Sequence, residues 1–285
     1  MAADKTDRDL RAADFYVRFW GVRGSIACSG PSSVRYGGNT SSIEIGCGGI
    51  RLLFDCGTGA RYLGQQLARE GPLDLDVFFT HTHYDHVCGV PFFGPFYDPR
   101  NRFRVFAGHL APASNLHDAL CGMMRPPLFP VPLQVFRADL TFHDFVAGDT
   151  LYPRPGISIR TGPLNHPNGA TGYRVEFGGR SICYLTDTEH VIGKPDANVL
   201  SLIEAADIVI YDAMFTDESF PPRIGWGHST WQEGARLCEI AGAKTFVAFH
   251  HDPEHDDATM DRIAEALDAM RPGSLVAREG MVLHA

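Results

Sequence analysis

The sequence predicts a layered α/β protein with mixed sheets. Apolar and β-branched runs bounded by Gly, Asn or Asp recur along the chain, as is typical of strands. Stretches with apolar residues at helical spacing lie between some of these runs, while other runs are separated only by short turns. Because helical connections favour parallel pairs and tight turns favour antiparallel pairs, we expect both kinds in the same sheets.

In the first half of the chain, helical spacing in "ARYLGQQLARE" predicts a helix over 60–70, directly after the turn "CGTG". The "CGG" stretch reads as a hairpin turn between two strands. The strands predicted in this half lie near 15–20, 42–46, 50–55 and 75–80.

The second half repeats this mixture, and its last twelve residues, "SLVAREGMVLHA", indicate a strand, a turn and a strand. The predicted strands lie near 157–161, 172–177, 181–186, 207–211 and 245–249. The predicted helices lie near 196–205, 229–241 and 256–270.

We expect a single domain over 15–285, because 285 residues with 44% hydrophobic content can bury a large core. Residues 91–135 stand apart, since "PFFGPFYDP" and "RPPLFPVPL" disfavour long regular elements. They are expected to form an inserted loop with one short helix near 112–121. The charged residues 1–14 contain no apolar segment, which indicates a disordered or solvated tail and no signal peptide.

The composition of the chain indicates which binding partners and which cellular compartment to expect. The formal net charge is −9 and no Lys or Arg cluster appears, so an extended nucleic acid is not expected to bind. No run approaches about 18 apolar residues, so no membrane partner is expected. Seven scattered cysteines without a CxxC pair are typical of a reducing compartment, and we expect a cytoplasmic protein.

The segment "FFTHTHYDHVCG" concentrates His81, His83, Asp85 and His86 directly after an apolar run. On a strand, His81 and His83 would point to one face and could bind one metal ion, while a following turn could direct Asp85 and His86 to a second ion. Imidazole and carboxylate ligands suit Zn²⁺, Mn²⁺ or iron, whereas closed structural zinc sites favour thiolates. The composition of this segment therefore indicates a catalytic metal site.

Four side chains cannot complete two coordination spheres, and three further candidates follow predicted strands. His166 lies between two strand patterns, Asp187 ends "SICYLTD", and His250 ends "TFVAFH". Of the adjacent pair His250 and His251, only one is expected to face the site, and the strand "TFVAF" runs directly into His250.

This series of residues resembles the metallo-β-lactamase-fold hydrolases over almost the whole chain. The resemblance implies a four-layer αβ/βα sandwich with mixed sheets, two divalent metal ions between the sheets, and an Asp like Asp55 in "LLFDCGTG" supporting the site. Zinc is the expected metal, with manganese or iron as alternatives. The resemblance assigns His81, His83 and His166 to the first ion, Asp85, His86 and His250 to the second, and Asp187 to both.

Within that superfamily, "IGWGHSTWQEGARL" resembles the ribonuclease Z and small phosphodiesterase branch. The resemblance implies that His228 contacts phosphate and assists proton transfer, although a His at an exposed helix start is an alternative. Asp212 is a weaker candidate for orienting His228. Gly-Ser and Asn-Thr turns also resemble this branch, and we interpret them as closing the first sheet; they contain Gly24, Ser25, Asn39 and Thr40.

We therefore expect a dinuclear phosphodiesterase acting on a small phosphodiester such as a cyclic nucleotide. Asp85 and His228 are the expected catalytic residues, with hydroxide shared by the two ions as the nucleophile. Ribonuclease Z carries a long basic arm that grips transfer RNA, and the chain shows no counterpart. In the 91–135 stretch, aromatic and Met side chains could stack a nucleobase, form a packed lid or support a homodimer: Phe92, Phe93, Phe96, Tyr97, Met124 and Phe129.

Other classes remain open at this point. A lactonase or thioesterase on the same fold would not need His228, and a ribonuclease acting on RNA ends would share the phosphodiester chemistry. A redox member would hold a single iron, which a bridging Asp187 disfavours. A nucleic-acid-binding module with a vestigial site is disfavoured by the acidic charge.

Overall fold

The computed structural model describes residues 15–285, so the tail predicted for 1–14 lies outside the described residues. Fourteen strands in this part of the chain form two sheets of seven. The strands of the first sheet are β1 (Phe15–Gly21), β2 (Ser42–Cys47), β3 (Ile50–Phe54), β4 (Asp74–Phe79), β5 (Arg102–Ala107), β6 (Asp139–Asp144) and β14 (Val282–His284). Those of the second are β7 (Thr150–Arg154), β8 (Ile157–Leu164), β9 (Ala170–Phe177), β10 (Arg180–Leu185), β11 (Ile208–Asp212), β12 (Thr245–Phe249) and β13 (Leu275–Val276).

Both sheets are mixed, as the sequence predicts. The first has the order β14-β1-β2-β3-β4-β5-β6, in which pairs from β14 to β3 are antiparallel and pairs from β3 to β6 are parallel. The second has the order β13-β12-β11-β10-β9-β8-β7, in which pairs from β7 to β10 are antiparallel and pairs from β10 to β13 are parallel. The antiparallel part of each sheet contains tight hairpins, such as β2–β3 and β9–β10, and helices connect the strands of the parallel part.

Three apolar cores separate four layers. Between the sheets, side chains such as Phe54 and Phe78 pack against Tyr173 and Tyr184 from the opposite sheet. A second core lies under the helices that cover β8 to β12, and a third lies under those that cover β3 to β5. The α-helices are α1 (Ala60–Leu67), α2 (Tyr84–Val87), α3 (Leu116–Met123), α4 (Ala197–Ile203), α5 (Trp231–Ile240) and α6 (Asp257–Met270). The predicted four-layer αβ/βα sandwich is confirmed.

The expectation of an irregular loop over 91–135 is wrong in part. Residues Arg102–Ala107 form β5, which lies between β4 and β6 with parallel partners on both sides. Three of the six side chains considered for base stacking, a packed lid or a dimer surface are core residues, since Phe93, Phe96 and Met124 are at most 3% exposed. A short alternating segment such as "RFRVFA" is only a weak indication of a strand, and β5 is stabilised by pairing with β4 and β6 and by packing under the neighbouring helices.

The site lies at one edge of both sheets because parallel strands end on the same side. β3 and β4 end there in the first sheet, and β8, β10, β11 and β12 end there in the second. All seven cysteines are free thiols. None of the helices within residues 15–285 combines the length and the apolar character that a bilayer span requires.

Candidate metal centre

The candidate metal-binding segment, residues 81–86, begins two residues after the end of β4, which changes one detail of the sequence prediction. Strand β4 ends at Phe79, so His81 and His83 lie on an irregular segment and not on a strand. Asp85 and His86 lie on the single turn of α2. The two histidines still converge, because their ring centroids are 4.5 Å apart.

One group of four ligand atoms has the dimensions of a tetrahedral metal site. It comprises side chains of Asp85, His86, Asp187 and His250, all buried. His86 Nε2 lies 3.3 Å from Asp85 Oδ2, 3.1 Å from Asp187 Oδ2 and 3.4 Å from His250 Nε2. His250 Nε2 lies 3.3 Å from each of the two carboxylate oxygens. Ligands at about 2.0–2.1 Å from a tetrahedral zinc ion are about 3.3–3.4 Å apart, so these residues fit such an ion.

A second group, His81, His83 and His166, lies beside the first. His166 Nε2 is 2.9 Å from His83 Nδ1. Asp187 Oδ1 is 3.7 Å from Nε2 of both His81 and His166, while its Oδ2 faces the four-atom group. The Asp187 carboxylate thus contacts both groups, with one oxygen directed at each.

The pKa shifts of the histidines in these groups indicate surroundings that favour a bound cation. Burial, together with the His86 imidazole, lowers the pKa of His81 well below its usual range, and His81 Nε2 is buried without a hydrogen-bond partner among residues 15–285. Burial lowers the pKa of His86 too, but Asp187 and the other carboxylates outweigh it and raise that pKa well above its usual range. Because a cation binding at His86 would take the place of its proton, the carboxylates that favour the proton also favour the cation.

Asp55 orients His86 from behind, as the resemblance implies. Its Oδ2 lies 2.9 Å from His86 Nδ1 and accepts hydrogen bonds from the hydroxyls of Thr80 and Tyr184 at 2.9 and 3.0 Å. With Nδ1 donating to this carboxylate, the lone pair of His86 is on Nε2 and faces the metal group. The backbone amide of Thr80 donates to Asp55 Oδ1 at 2.8 Å, so one carboxylate also fixes the start of the metal-binding segment.

The strand ends at the site carry uncommon backbone conformations. Asp55, Asp187 and His250 follow β3, β10 and β12 and have φ values of 58°, 60° and 61°. Non-glycine residues rarely adopt this left-handed region, and such residues cluster at functional sites. The turn redirects each side chain from the sheet towards the gap between the sheets.

The choice of His250 over His251 agrees with the geometry. His250 is in the four-atom group, whereas the Nε2 of His251 donates to the carbonyl of Ala277 at 2.8 Å. Burial lowers the pKa of His251 to about 3, so this side chain is a neutral core residue.

His228 lies over the site and pairs with Asp212, the last residue of β11. Its Nδ1 donates to Asp212 Oδ2 at 2.8 Å, and its ring stacks on His250 with centroids 4.9 Å apart. Burial lowers the pKa of His228, but the carboxylate of Asp212 outweighs that effect and the pKa is raised to about 9. This pairing fixes the ring and leaves Nε2 free to act.

Two contacts at the site were missed or undervalued from sequence. Glu189 Oε2 accepts from the amides of Gly225 and Gly227 at 2.7 and 2.8 Å, and the Gly227 carbonyl accepts from His166 Nδ1 at 2.7 Å. Glu189 therefore shapes the loop that orients His166 and leads into His228. The sequence could have indicated this role of Glu189 only through its position two residues after Asp187.

The Gly24-Ser25 turn also reaches the metal site and does more than close the first sheet. The Ser25 amide donates to Asp85 Oδ2 at 2.8 Å. Gly24 lies so close to the His250 ring and the Met214 methyl that any Cβ would collide with both. The turn does support the sheet edge as well, since the Gly24 amide donates to the His251 carbonyl at 3.0 Å.

Comparison with known proteins places this geometry in a family. The model of the beta-lactamase superfamily domain matches residues 50–251. Ribonuclease Z of Haloarcula marismortui is 27% identical over 314 residues, which cover 93% of this chain and 95% of that protein. The crystal structure of the metallo-beta-lactamase fold protein YhfI from Bacillus subtilis aligns with a TM-score of 0.72 at 18% identity, covering 96% of this chain and 100% of that one.

A diphosphatase from the PhnP family has the same fold, with a TM-score of 0.69 and 20% identity over 95% of this chain and 97% of that one. The family match covers most of the chain and contains every predicted metal ligand. The chain therefore belongs to the β-lactamase superfamily, in the same branch as the ribonucleases Z, and is a metal-dependent hydrolase.

Proposed function

We propose that this protein is a dinuclear phosphodiesterase that hydrolyses a small phosphodiester. The observation that carries the proposal is the position of the His228–Asp212 pair, which lies directly over the two ligand groups. In this role Asp85, His86, His250 and Asp187 hold one ion, and His81, His83, His166 and Asp187 hold the other.

Two divalent ions in these groups would neutralise the charge of the phosphoryl oxygens and lower the pKa of a water molecule, so that hydroxide would be available near neutral pH to attack phosphorus. The carboxylates of Asp85 and Asp187 would hold the two ions between the sheets. Asp212 holds the His228 ring through Nδ1, so Nε2 can donate a proton to the leaving oxygen. Removing a group in this role typically slows turnover about 100- to 1000-fold.

The short loop that carries His166 and the negative charge of the chain both favour a small substrate. Strands β8 and β9 are joined by only five residues, 165–169, and the chain's negative charge offers little attraction to a long phosphate backbone. A second candidate, ribonuclease action on RNA ends, is supported by the relatives named ribonuclease Z, which this chain covers over most of their length. A diphosphatase among the structural neighbours supports the smaller substrate.

The first test is hydrolysis of bis(p-nitrophenyl) phosphate by protein reconstituted with Zn²⁺, Mn²⁺ or Fe²⁺. We expect about two ions per chain and activity that a chelator removes. Full activity after chelation would refute the proposal. A panel of cyclic nucleotides, linear dinucleotides, precursor transfer RNA and a lactone then separates the small phosphodiesterase from the ribonuclease and the lactonase.

The second test is His228→Ala. We expect the variant to keep its metal ions and lose most turnover of a diester with an alkoxide leaving group, such as a cyclic nucleotide, because His228 donates a proton to the leaving oxygen. Loss of metal would instead make His228 a ligand, which its proximity to Asp187 and His250 allows. Retained phosphodiester turnover would refute the role assigned to His228.

A further inference from the structure

A cavity of about 600 Å³ opens beside the metal-binding segment. Its wall combines residues of that segment, the 3₁₀ turn Val90–Phe92, one face of α3 and the Pro-rich stretch after α3. The lining residues include Thr82, Tyr84, Phe92, Ala119, Leu128 and Phe129. No charged side chain of residues 15–285 lines it. The volume falls within the range of small-molecule sites, and such sites are mostly apolar with a few polar groups at one end.

The cavity wall and the ligand groups share one segment of the chain. Thr82, which lines the cavity, lies between His81 and His83 in sequence, and Tyr84, which also lines it, lies between His83 and Asp85. Because consecutive Cα atoms are about 3.8 Å apart, the backbone of this wall lies directly beside the backbone that carries these ligands. The Thr82 hydroxyl lies 3.1 Å from Nε2 of His109, which holds this shared wall in place.

The outer part of the cavity consists of apolar side chains that solvent reaches. Tyr84, Phe92 and Leu128 are 73%, 58% and 79% exposed. Phe92 and Phe129 form an edge-to-face pair with centroids 6.0 Å apart. Exposed apolar residues grouped around a concave surface are typical of a binding site, and aromatic side chains bind a planar ring through stacked or edge-to-face contacts.

We propose that this cavity binds an aromatic substituent of the phosphodiester, namely the one that stays on phosphorus after hydrolysis. The inference rests on the proposed phosphodiesterase function. His228, assigned to the leaving oxygen, packs against His166 and His250 from the second sheet. His228 is not among the residues that line the cavity, so we assign the cavity to the substituent that His228 does not protonate.

The test compares two diesters with the same leaving group, methyl p-nitrophenyl phosphate and 1-naphthyl p-nitrophenyl phosphate. Both release p-nitrophenolate, so a difference in kcat/KM reports on the retained group. We expect the holoenzyme to prefer the naphthyl diester roughly 10- to 100-fold, since the ring transfers from water to an apolar cavity. The preference should appear mainly in KM.

Two variants change the cavity in opposite ways. Phe92→Ala removes an exposed wall residue, and Ala119→Trp fills the space from α3. Both should reduce the ratio of naphthyl to methyl kcat/KM at least about fivefold. Tyr152→Ala is the matched control, because Tyr152 is an aromatic residue 76% exposed on β7 that does not line the cavity; its ratio should equal that of the parent protein. Thermal melting checks that each variant folds.

The outcomes separate the two proposals. Hydrolysis of both diesters with equal kcat/KM overturns the cavity assignment and leaves the phosphodiesterase function standing, whereas hydrolysis of neither overturns both. A ratio that Ala119→Trp does not change also overturns the assignment. So does a stable homodimer that Leu128→Asp dissociates, because a second copy of the chain would then occupy the cavity.

Discussion

Replacing Asp55 by Asn should weaken metal binding through His86 without moving the backbone. Asp55 has a φ of 58°, and Asn is among the residues that tolerate this left-handed region, so the turn itself should persist. Asn also keeps the size of the side chain. The change is therefore confined to the charge and to one acceptor oxygen.

Each orientation of the new amide disturbs one contact of Asp55. If the amide nitrogen replaces Oδ1, it faces the backbone amide of Thr80, and that N–H group loses its acceptor. If the amide nitrogen replaces Oδ2, it faces His86 Nδ1, which can accept only when the His86 proton moves to Nε2, the atom that would bind the ion. We expect the free energy of unfolding of the metal-free protein to fall by about 1–3 kcal/mol. Affinity for the ion held by His86 should fall about 10- to 100-fold.

The assay is metal affinity by competition with a chromophoric chelator, together with urea unfolding of the metal-free protein. Asp257→Asn is the matched control, because Asp257 is also buried and accepts from two backbone amides, those of Arg35 and Tyr36. It should lose similar stability while binding metal normally. Wild-type metal affinity in Asp55→Asn would refute the role assigned to Asp55.

Three further predictions follow from single contacts. Gly24→Ala should reduce metal content, because its Cβ displaces the His250 ring; unchanged occupancy by elemental analysis would contradict the close approach. Asp76→Asn should lower the free energy of unfolding by about 2–3 kcal/mol in urea titrations, because Arg154 and Arg104 lose their buried carboxylate partner. The metal content of this variant should not change. His251→Phe should cost about 1–2 kcal/mol through its lost hydrogen bond and keep both ions, whereas loss of an ion would show that His251 is a ligand.

Much of the fold and of the candidate site could be predicted because their signals are local. Apolar runs predicted the strands that carry Asp187 and His250, and helical spacing predicted α1, α5 and α6 closely. Parallel strands end at one edge, so polar residues after those strands could be expected to meet. Asp212, the last residue of β11, was the weaker candidate for orienting His228, and the structure shows that contact.

The errors concern features that depend on neighbours in space. Strand β5 has partners on both sides and packs under a helix, which its six residues do not reveal. Phe93 and Phe96 belong to the core below α1, while Phe92 beside them is exposed, because short 3₁₀ turns and not a regular repeat set their directions. Glu189 gave almost no signal, since its role is to accept hydrogen bonds from distant backbone amides.

The candidate chemistry is encoded locally, because residue type and position after an apolar run decide which atoms can bind a metal ion and which end of a strand they occupy. Tertiary structure alone decided the distances, since residues up to 169 positions apart approach only when the two sheets pack face to face. It also decided that Asp187 contacts both ligand groups and that an apolar cavity lies beside them. Such features depend on how separate segments pack, and no single stretch of sequence encodes that packing.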